Sequence, residues 1–196
     1  GKTNLSINLA LDCAKEGDKV TLIDMDVVNP YFRSSDYADI LTKNGVRVLG
    51  PNFANSNLDT PSLPAAIGDA ISEGERVIID VGGDDAGATA LGVYSRQLEA
   101  TEPDVMYVVN RYRSQTTNPM DAVQIMAEIE KAARIKSTCI VNNSHLKQLT
   151  TESTIMESIP FAEKVSEYTG LPIRFTTAPV EVDLLNKIPN MYPVRV

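Results

Sequence analysis

The sequence lacks the residues on which several structural classes depend. Its 196 residues contain no tryptophan, a single histidine (His145) and two cysteines, Cys13 and Cys139. Cysteines this far apart build no disulfide framework, and one histidine adds too few ligands for a zinc cluster. No apolar run approaches the roughly 18 residues that a membrane-spanning helix needs, and no secretory signal opens the chain. We therefore expect a cytoplasmic protein without membrane segments.

Positive charge is also scarce. Lys and Arg number 18 against 26 Asp and Glu, which gives a formal net charge of −8. Sequence-independent binding of nucleic acid depends on a basic surface that neutralises phosphates, so this balance argues against a nucleic-acid partner. Residues 188–196 contain two prolines and no amphipathic helix of the kind that lies on a membrane surface, so we expect no membrane partner either.

The chain has the composition of an ordinary globular domain, with 43% hydrophobic residues, and its length predicts a single domain over residues 1–196. Several apolar runs, such as 20–23 and 105–109, are continuous, as in strands buried on both faces of a sheet. The predicted strands are 19–24, 46–50, 76–81, 104–110, 137–142 and 172–177, and the predicted helices are 3–16, 63–73, 87–99, 119–134, two within 152–168 that meet near Pro160, and a short one near 181–187. This alternation predicts an α/β fold with a doubly wound, mostly parallel sheet and helices on both faces.

A phosphate-binding motif stands at the start of the chain. Gly1-Lys2-Thr3 matches the last three positions of G-x-x-x-x-G-K-[ST], and a helical segment follows directly. The N–H groups and the dipole at a helix N-terminus favour a phosphate. Lys2 would then bind the β- and γ-phosphates of a nucleotide, and the Thr3 hydroxyl would be a ligand of Mg²⁺. Because residue 1 falls inside the motif, we expect the native chain to extend upstream with a first strand and the start of the phosphate loop.

Acidic residues end two of the predicted strands. Asp24 and Asp26 close the first, and Asp80 closes a second, with Gly83 three positions later. Ligands of open α/β sheets bind at the carboxyl ends of the strands. Asp24 and Asp80 are therefore candidates for the Mg²⁺ shell, and the Gly83 N–H for the γ-phosphate. Asp26, or alternatively Asp24, would orient the attacking water, although a solvated turn is the plain alternative for this pair.

Together these segments resemble the MinD/ParA group of deviant P-loop ATPases, which includes the CobQ/CobB-like nucleotide-binding domains. The motifs that carry the resemblance are Gly1-Lys2-Thr3 before an Asn-Leu-x-Ile-Asn-Leu-Ala helix, Leu22-Ile23-Asp24-Met25-Asp26, and Ile78-Ile79-Asp80-Val81-Gly82-Gly83. The resemblance implies that these are, in turn, the end of the Walker A loop, the switch I carboxylates, and Walker B with switch II.

The resemblance also implies a base-binding region late in the chain. Asn142 or Asn143, after a predicted strand, would read adenine, and Pro179 with Val180 would lie over the base. ATP is preferred to GTP because the guanine-reading Asn-Lys-x-Asp pattern is absent from the sequence.

The resulting hypothesis is a Mg²⁺-dependent ATP-binding protein that hydrolyses ATP slowly. Lys2, Asp26 and Asp24 would carry the catalysis. The bound nucleotide would switch contacts with a protein partner or with a second copy of the chain. Two alternatives stay open: an ATP-dependent small-molecule ligase or amidotransferase of the CobQ type, with a substrate pocket in the 87–118 region, and a scaffold that holds nucleotide without hydrolysis.

Other reactive side chains receive plainer interpretations. His145 follows Asn142-Asn143-Ser144 with no Cys or His partner nearby in sequence, so we expect a surface residue rather than a ligand or base. Arg111 follows a predicted strand at the expected ligand edge, where a solvated loop is favoured over a contact with nucleotide or partner. Cys13 and Cys139 are expected to pack within the domain.

Overall fold

Residues 1–25, 35–50, 63–73, 76–83, 85–182, 184 and 187–195 are described by the computed structural model of this chain. They divide into two compact units. The three-stranded unit comprises Leu5–Glu102 and Ala132–Arg134, and the four-stranded unit comprises Gly1–Asn4, Pro103–Lys131 and Ile135–Val196.

The three-stranded unit contains a parallel sheet with the strand order β2-β1-β3. Its strands are β1 (Val20–Asp24), β2 (Val46–Leu49) and β3 (Arg76–Asp80), and its helices are most of α1 (Lys2–Lys15), α2 (Ser35–Lys43), α3 (Leu63–Ser72), α4 (Asp85–Gly92) and α5 (Ser95–Glu99). Ile7 and Ala10 of α1 pack with Leu22 of β1 and Leu41 of α2 in one apolar cluster. The continuous apolar run of β1 is therefore covered by helices, as expected for a parallel strand.

The four-stranded unit contains a second parallel sheet, with the strand order β4-β5-β6-β7. Its strands are β4 (Met106–Val109), β5 (Cys139–Asn142), β6 (Ile173–Pro179) and β7 (Met191–Val194), and its helices are α6 (Pro119–Ala133, whose last residues belong to the other unit), α7 (Glu152–Met156) and α8 (Ile159–Thr169). Val109, Ile140 and Phe161 lie in its core. As predicted, a new helix starts near Pro160, with Ile159 as its first residue, and Gly170 ends it with a φ of 72°.

The predicted α/β fold class is confirmed, with corrections at four places. The helix predicted over 87–99 is two helices, α4 and α5, separated by a turn at 93–94. The helix predicted near 181–187 is wrong for the described residues there, none of which is helical. Strand β7 was not predicted because Pro193 interrupts its pattern, and this proline is tolerated because β7 is an edge strand. Helix α2 was also missed; it is short and Leu41 is its one buried side chain among those described.

The end of α4 makes a close backbone contact that requires glycine. A Cβ placed on Gly92 would lie 2.8 Å from the carbonyl oxygen of Ala132, which is backbone and cannot rotate away. A Cβ on Gly68 in α3 would instead lie 3.6 Å from the flexible amide of Gln97, an ordinary contact distance.

We therefore expect opposite effects from the same change at these two helical glycines. Gly92→Ala should lower the free energy of unfolding by about 1–3 kcal/mol because the backbone must shift. Gly68→Ala should raise it by about 0.5–1 kcal/mol because alanine restricts the unfolded chain. Urea unfolding followed by circular dichroism measures both, and an equal effect of the two changes would contradict the packing assigned to Gly92.

Candidate nucleotide site

Gly1, in the last part of the phosphate motif, packs against the loop that follows β5. A Cβ placed on Gly1 would lie 2.8 Å from Nε2 of His145 and 3.3 Å from Nδ2 of Asn143. All three residues belong to the four-stranded unit. Two side-chain nitrogen atoms therefore flank the glycine after which α1 begins at Lys2. This brings together two regions that the sequence analysis connected only through a family resemblance.

The two candidate asparagines at the end of β5 have different environments. Asn142 is fully buried, and both ends of its amide bind neighbouring side chains. Its Nδ2 donates to Ser158 Oγ at 2.9 Å, and its Oδ1 accepts from Ser144 Oγ at 2.7 Å. Since Ser158 lies at the junction of α7 and α8, this amide connects the β5 loop to the helices. Both ends of the Asn142 amide are therefore used by hydrogen bonds within the protein interior.

Asn143 is also buried, at 6% exposure, but only one end of its amide binds a side chain among the described residues. Its Oδ1 accepts from Thr177 Oγ1 at 2.7 Å, which fixes the orientation of the amide. The Nδ2 donors then face the side of the residue on which Gly1 lies. The amide oxygen has a second lone pair, so the side chain can still both donate to and accept from a bound group.

The loop after β4 is tied to the same place. The backbone N–H of Arg111 donates to Ser144 Oγ at 3.0 Å, and Asn110 Oδ1 accepts from the His145 N–H at 3.4 Å. The Arg111 guanidinium donates to the carbonyl of Glu157, so this half-buried side chain is held against the α7–α8 junction. The solvated-loop interpretation of Arg111 is thus only partly correct, because its side chain contributes to the packing.

Pro179 and Val180 come at the carboxyl end of β6. Pro179 lies two residues beyond Thr177, whose hydroxyl binds Asn143. The Val180 N–H donates to the Val194 carbonyl at 3.0 Å, while its side chain is 47% exposed. An exposed apolar side chain at this end of the sheet is suited to contact with a planar base, although its role stays a prediction.

In the three-stranded unit, two of the predicted carboxylates are neighbours. Asp24 and Asp80 are register partners on the parallel strands β1 and β3, and such strands lie about 4.8 Å apart. Asp80 is buried, at 4% exposure, and its carbonyl accepts from the Met25 N–H at 2.8 Å. Adjacent carboxylates repel each other, and a cation with oxygen ligands relieves that repulsion.

The glycines after β3 allow a close approach of α4. A Cβ placed on Gly87 would lie 2.7 Å from the backbone nitrogen of Gly82. Gly87 therefore lets α4 pack directly on the segment between Asp80 and Gly83, and this segment belongs to the predicted switch II. Gly83 itself is exposed.

The remaining predicted site residues are placed as follows. Lys2 and Thr3 form the first turn of α1 and are half-buried. Asp26 lies outside the described residues. Within the described part of the chain, no group of three or more His, Cys, Asp or Glu side chains is arranged to hold a metal ion. Mg²⁺ does not require such a group, because it binds through one or two carboxylates together with phosphate and water oxygens. The pair Asp24 and Asp80 fits that requirement.

The three-stranded unit also has an open groove of about 490 Å³ between α3 and α5. It is lined by Ala65, Gly68, Asp69, Ser72, Val93, Tyr94 and Gln97. Three of these residues fall within the 87–118 region that the ligase alternative would use for its substrate pocket.

Comparison with protein families decides the classification. A model of the CobQ/CobB/MinD/ParA nucleotide-binding domain matches residues 1–170. The chain belongs to this family. The match includes residues of both units, and it confirms the resemblance drawn from the motifs in the first 90 residues. The coarse function is therefore that of a nucleotide-binding P-loop domain. No curated protein matches the chain by sequence.

Solved structures of similar fold include two FtsY proteins and a signal recognition particle protein. Chloroplast FtsY from Physcomitrella patens is 15% identical, covers 89% of this chain and has a TM-score of 0.55. FtsY from Mycoplasma mycoides is 18% identical, with 90% coverage and a TM-score of 0.55, and the 54 kDa signal recognition particle protein from Aeropyrum pernix K1 is 18% identical, with 90% coverage and a TM-score of 0.51.

These likenesses concern the fold alone. This chain spans 54% and 57% of the lengths of the two FtsY chains and 38% of the signal recognition particle protein.

None of the helices in the described ranges is both long and apolar enough to cross a membrane.

Sequence reasoning missed the side chains that hold the β5 loop in place. Ser144, Ser158 and Thr177 bind the two asparagines, yet none belongs to a recognised motif. For Ser144 and Thr177 the available signal was their position in or after a buried apolar strand, since buried polar groups must find partners. Ser158 lies at the start of α8 and has no such signal.

The buried amide network leads to a stability prediction. Asn142→Ala should lower the free energy of unfolding by about 1–3 kcal/mol, because the Ser144 hydroxyl loses its acceptor and Ser158 Oγ loses one donor. Gln148→Ala, which is exposed in the following turn, is the matched control and should leave stability within about 0.5 kcal/mol. Chemical unfolding measures both, and an unchanged midpoint for Asn142→Ala would contradict the role assigned to its amide.

Proposed function

We propose that this protein binds Mg²⁺ and ATP, hydrolyses the ATP slowly, and uses the bound nucleotide as a switch. The observation that carries the proposal is the packing of Gly1, at the end of the phosphate motif, against Asn143 and His145. A phosphate-binding turn and a base-reading loop must be neighbours in a mononucleotide site. The family match supports the nucleotide, and the finer assignments are inferences from the chain's own residues.

Asn143, rather than Asn142, is our candidate for reading the base. Adenine presents an amino donor and ring-nitrogen acceptors, which an asparagine amide can pair with both of its ends. The Asn142 amide is used within the interior by Ser144 and Ser158, whereas Asn143 retains its Nδ2 donors and one lone pair of Oδ1. Pro179 and Val180 would contribute an apolar surface beside the base.

The phosphates would be bound at the start of α1. Lys2 would neutralise charge on the β- and γ-phosphates, and backbone N–H groups of the first turn, with Gly83, would donate to phosphate oxygens. Bound Mg²⁺ would neutralise further charge that develops during phosphoryl transfer. Thr3, Asp24 and Asp80 are proposed to hold it, supported by the register pairing of the two carboxylates.

Asp26 is proposed to orient the attacking water, with Asp24 as the alternative. A carboxylate within hydrogen-bonding reach of water positions the oxygen for in-line attack. Lys2, Asp26 and Asp24 are thus the proposed catalytic set.

GTP is the competing nucleotide. The signal recognition particle protein from Aeropyrum pernix was solved in complex with GDP, and it shares the fold. We favour ATP because this sequence contains no Asn-Lys-x-Asp and because Asn143 offers an amide suited to adenine.

The biological output is proposed to be a nucleotide-dependent change of partner, either an unidentified protein or a second copy of the chain. We further propose that the two units are parts of one nucleotide-binding domain, which the continuous family match over residues 1–170 supports. A ligase or amidotransferase of the CobQ type and a non-hydrolysing scaffold are the alternatives that the experiment below separates.

Two variants of the full-length protein separate effects on ATP binding from effects on ATP hydrolysis. Lys2→Ala should abolish binding of ATP because the phosphates lose their charged partner. Asp26→Ala should bind ATP with unchanged affinity and release no phosphate because no carboxylate orients the water. Lys15→Ala is the matched control, since Lys15 is an exposed lysine in the last turn of the same helix. Isothermal titration calorimetry and a phosphate-release assay provide the readouts.

The same samples distinguish the remaining alternatives. Mg²⁺-dependent ATP binding with a shift to dimer mass supports the switch. Turnover that requires an added carboxylate or amide substrate indicates the ligase, and tight ATP binding without any phosphate release indicates the scaffold. Normal hydrolysis by Asp26→Ala would transfer the water-orienting role to another residue, and preferential binding of GTP would overturn the ATP assignment.

A further inference from the structure

His145 is the chain's single histidine, and it lies against the phosphate motif. Its Nε2 is the atom nearest to a Cβ placed on Gly1, at 2.8 Å. The side chain is half-buried, in contrast to the surface position expected from the sequence. Its neighbourhood therefore includes the residue that directly precedes Lys2 and Thr3.

The protonation of the ring is set by its other nitrogen. Nδ1 accepts a hydrogen bond from the Lys147 N–H at 3.1 Å, so Nδ1 carries no proton. Burial lowers the pKa of His145, and the positive charge of Lys147 lowers it further. The ring is thus neutral at pH 7, and its single proton resides on Nε2.

The ring orientation is also fixed. The backbone N–H of His145 donates to Asn110 Oδ1 at 3.4 Å, which connects the backbone of His145 to the loop after β4. The backbone N–H of Lys147 holds the ring at Nδ1. Among the described residues, Nε2 makes no hydrogen bond. A fixed N–H donor is therefore directed toward the region of Gly1.

We propose that His145 Nε2–H donates a hydrogen bond to a phosphate oxygen of the nucleoside di- or triphosphate that binds at Gly1–Thr3. This inference rests on the proposed function, because it assumes that phosphates occupy the start of α1. A phosphate oxygen is the expected acceptor because Lys2 and Thr3, the proposed phosphate ligands, follow Gly1 directly. His145 is accordingly a binding residue that positions the phosphate chain, and Asn143 is left for the base.

The single histidine makes a direct test possible in the full-length protein labelled with ¹⁵N at histidine. Addition of Mg²⁺ and ADP should shift the Nε2 resonance of His145 while its Nδ1 resonance keeps the position of an unprotonated nitrogen. Adenosine, which carries no phosphate, should leave Nε2 unchanged when it is added at saturating concentration. Lys2→Ala should abolish the response to ADP.

Affinity measurements with variants provide a second readout. His145→Ala should weaken ADP binding by about tenfold or more, because a hydrogen bond to a charged acceptor is lost. It should leave the affinity for adenosine unchanged, whereas a purely structural defect would affect both ligands. His145→Gln retains a side-chain N–H donor and should recover part of the loss, and Gln148→Ala is the control from the same loop.

The failure of this inference differs from the failure of the proposed function. If ADP binds in a Lys2-dependent manner and the His145 resonances do not move, the phosphate contact is wrong and the nucleotide site stands. If adenosine shifts Nε2 as much as ADP does, the histidine contacts the nucleoside instead and the inference is overturned. If neither ADP, ATP nor GTP binds the wild-type protein, both proposals fail.

Discussion

The hydrogen bonds of the Asn142 side-chain amide hold together the polar carboxyl end of the four-stranded sheet. The amide is fully buried, and it connects Ser144, in the loop after β5, with Ser158, at the start of α8. Ser144 in turn accepts from the backbone of Arg111, so the loop after β4 is part of the same network. Buried amides must be paired on both ends to avoid a large desolvation cost. The network therefore fixes the backbone from which Asn143 and His145 extend.

A second constraint acts through strand register. In a parallel sheet, all strands end at the same edge, and residues that are register partners lie side by side. The pairing of β1 with β3 consequently makes Asp24 a neighbour of Asp80. Continuous apolar strands followed by one polar residue are enough to concentrate carboxylates at an edge. The same logic in the other sheet places Asn142 beside Thr176.

The sequence was sufficient for the fold class and for most strands, because buried parallel strands are continuous apolar runs with polar ends. The sequence was insufficient where the apolar pattern is interrupted, as by Pro193 in β7, and where the element is short, as for α2. It also left Asn142 and Asn143 equivalent, because both directly follow the apolar run of β5. They are separated only by their partners Ser158 and Thr177, which are 16 and 34 residues away in sequence. Local pattern contains no information about such distant contacts.

His145 illustrates the same limit and gives the last glycine of the phosphate motif a second role. Its neighbours in sequence offer no partner, but the fold brings it to Gly1, 144 positions earlier. A Cβ at position 1 would meet Nε2 at 2.8 Å, and the ring cannot rotate away without breaking the bond between Nδ1 and the Lys147 N–H. Glycine at this position thus does more than allow the backbone to approach a phosphate. It leaves the space in which a neutral imidazole keeps its donor available to a ligand.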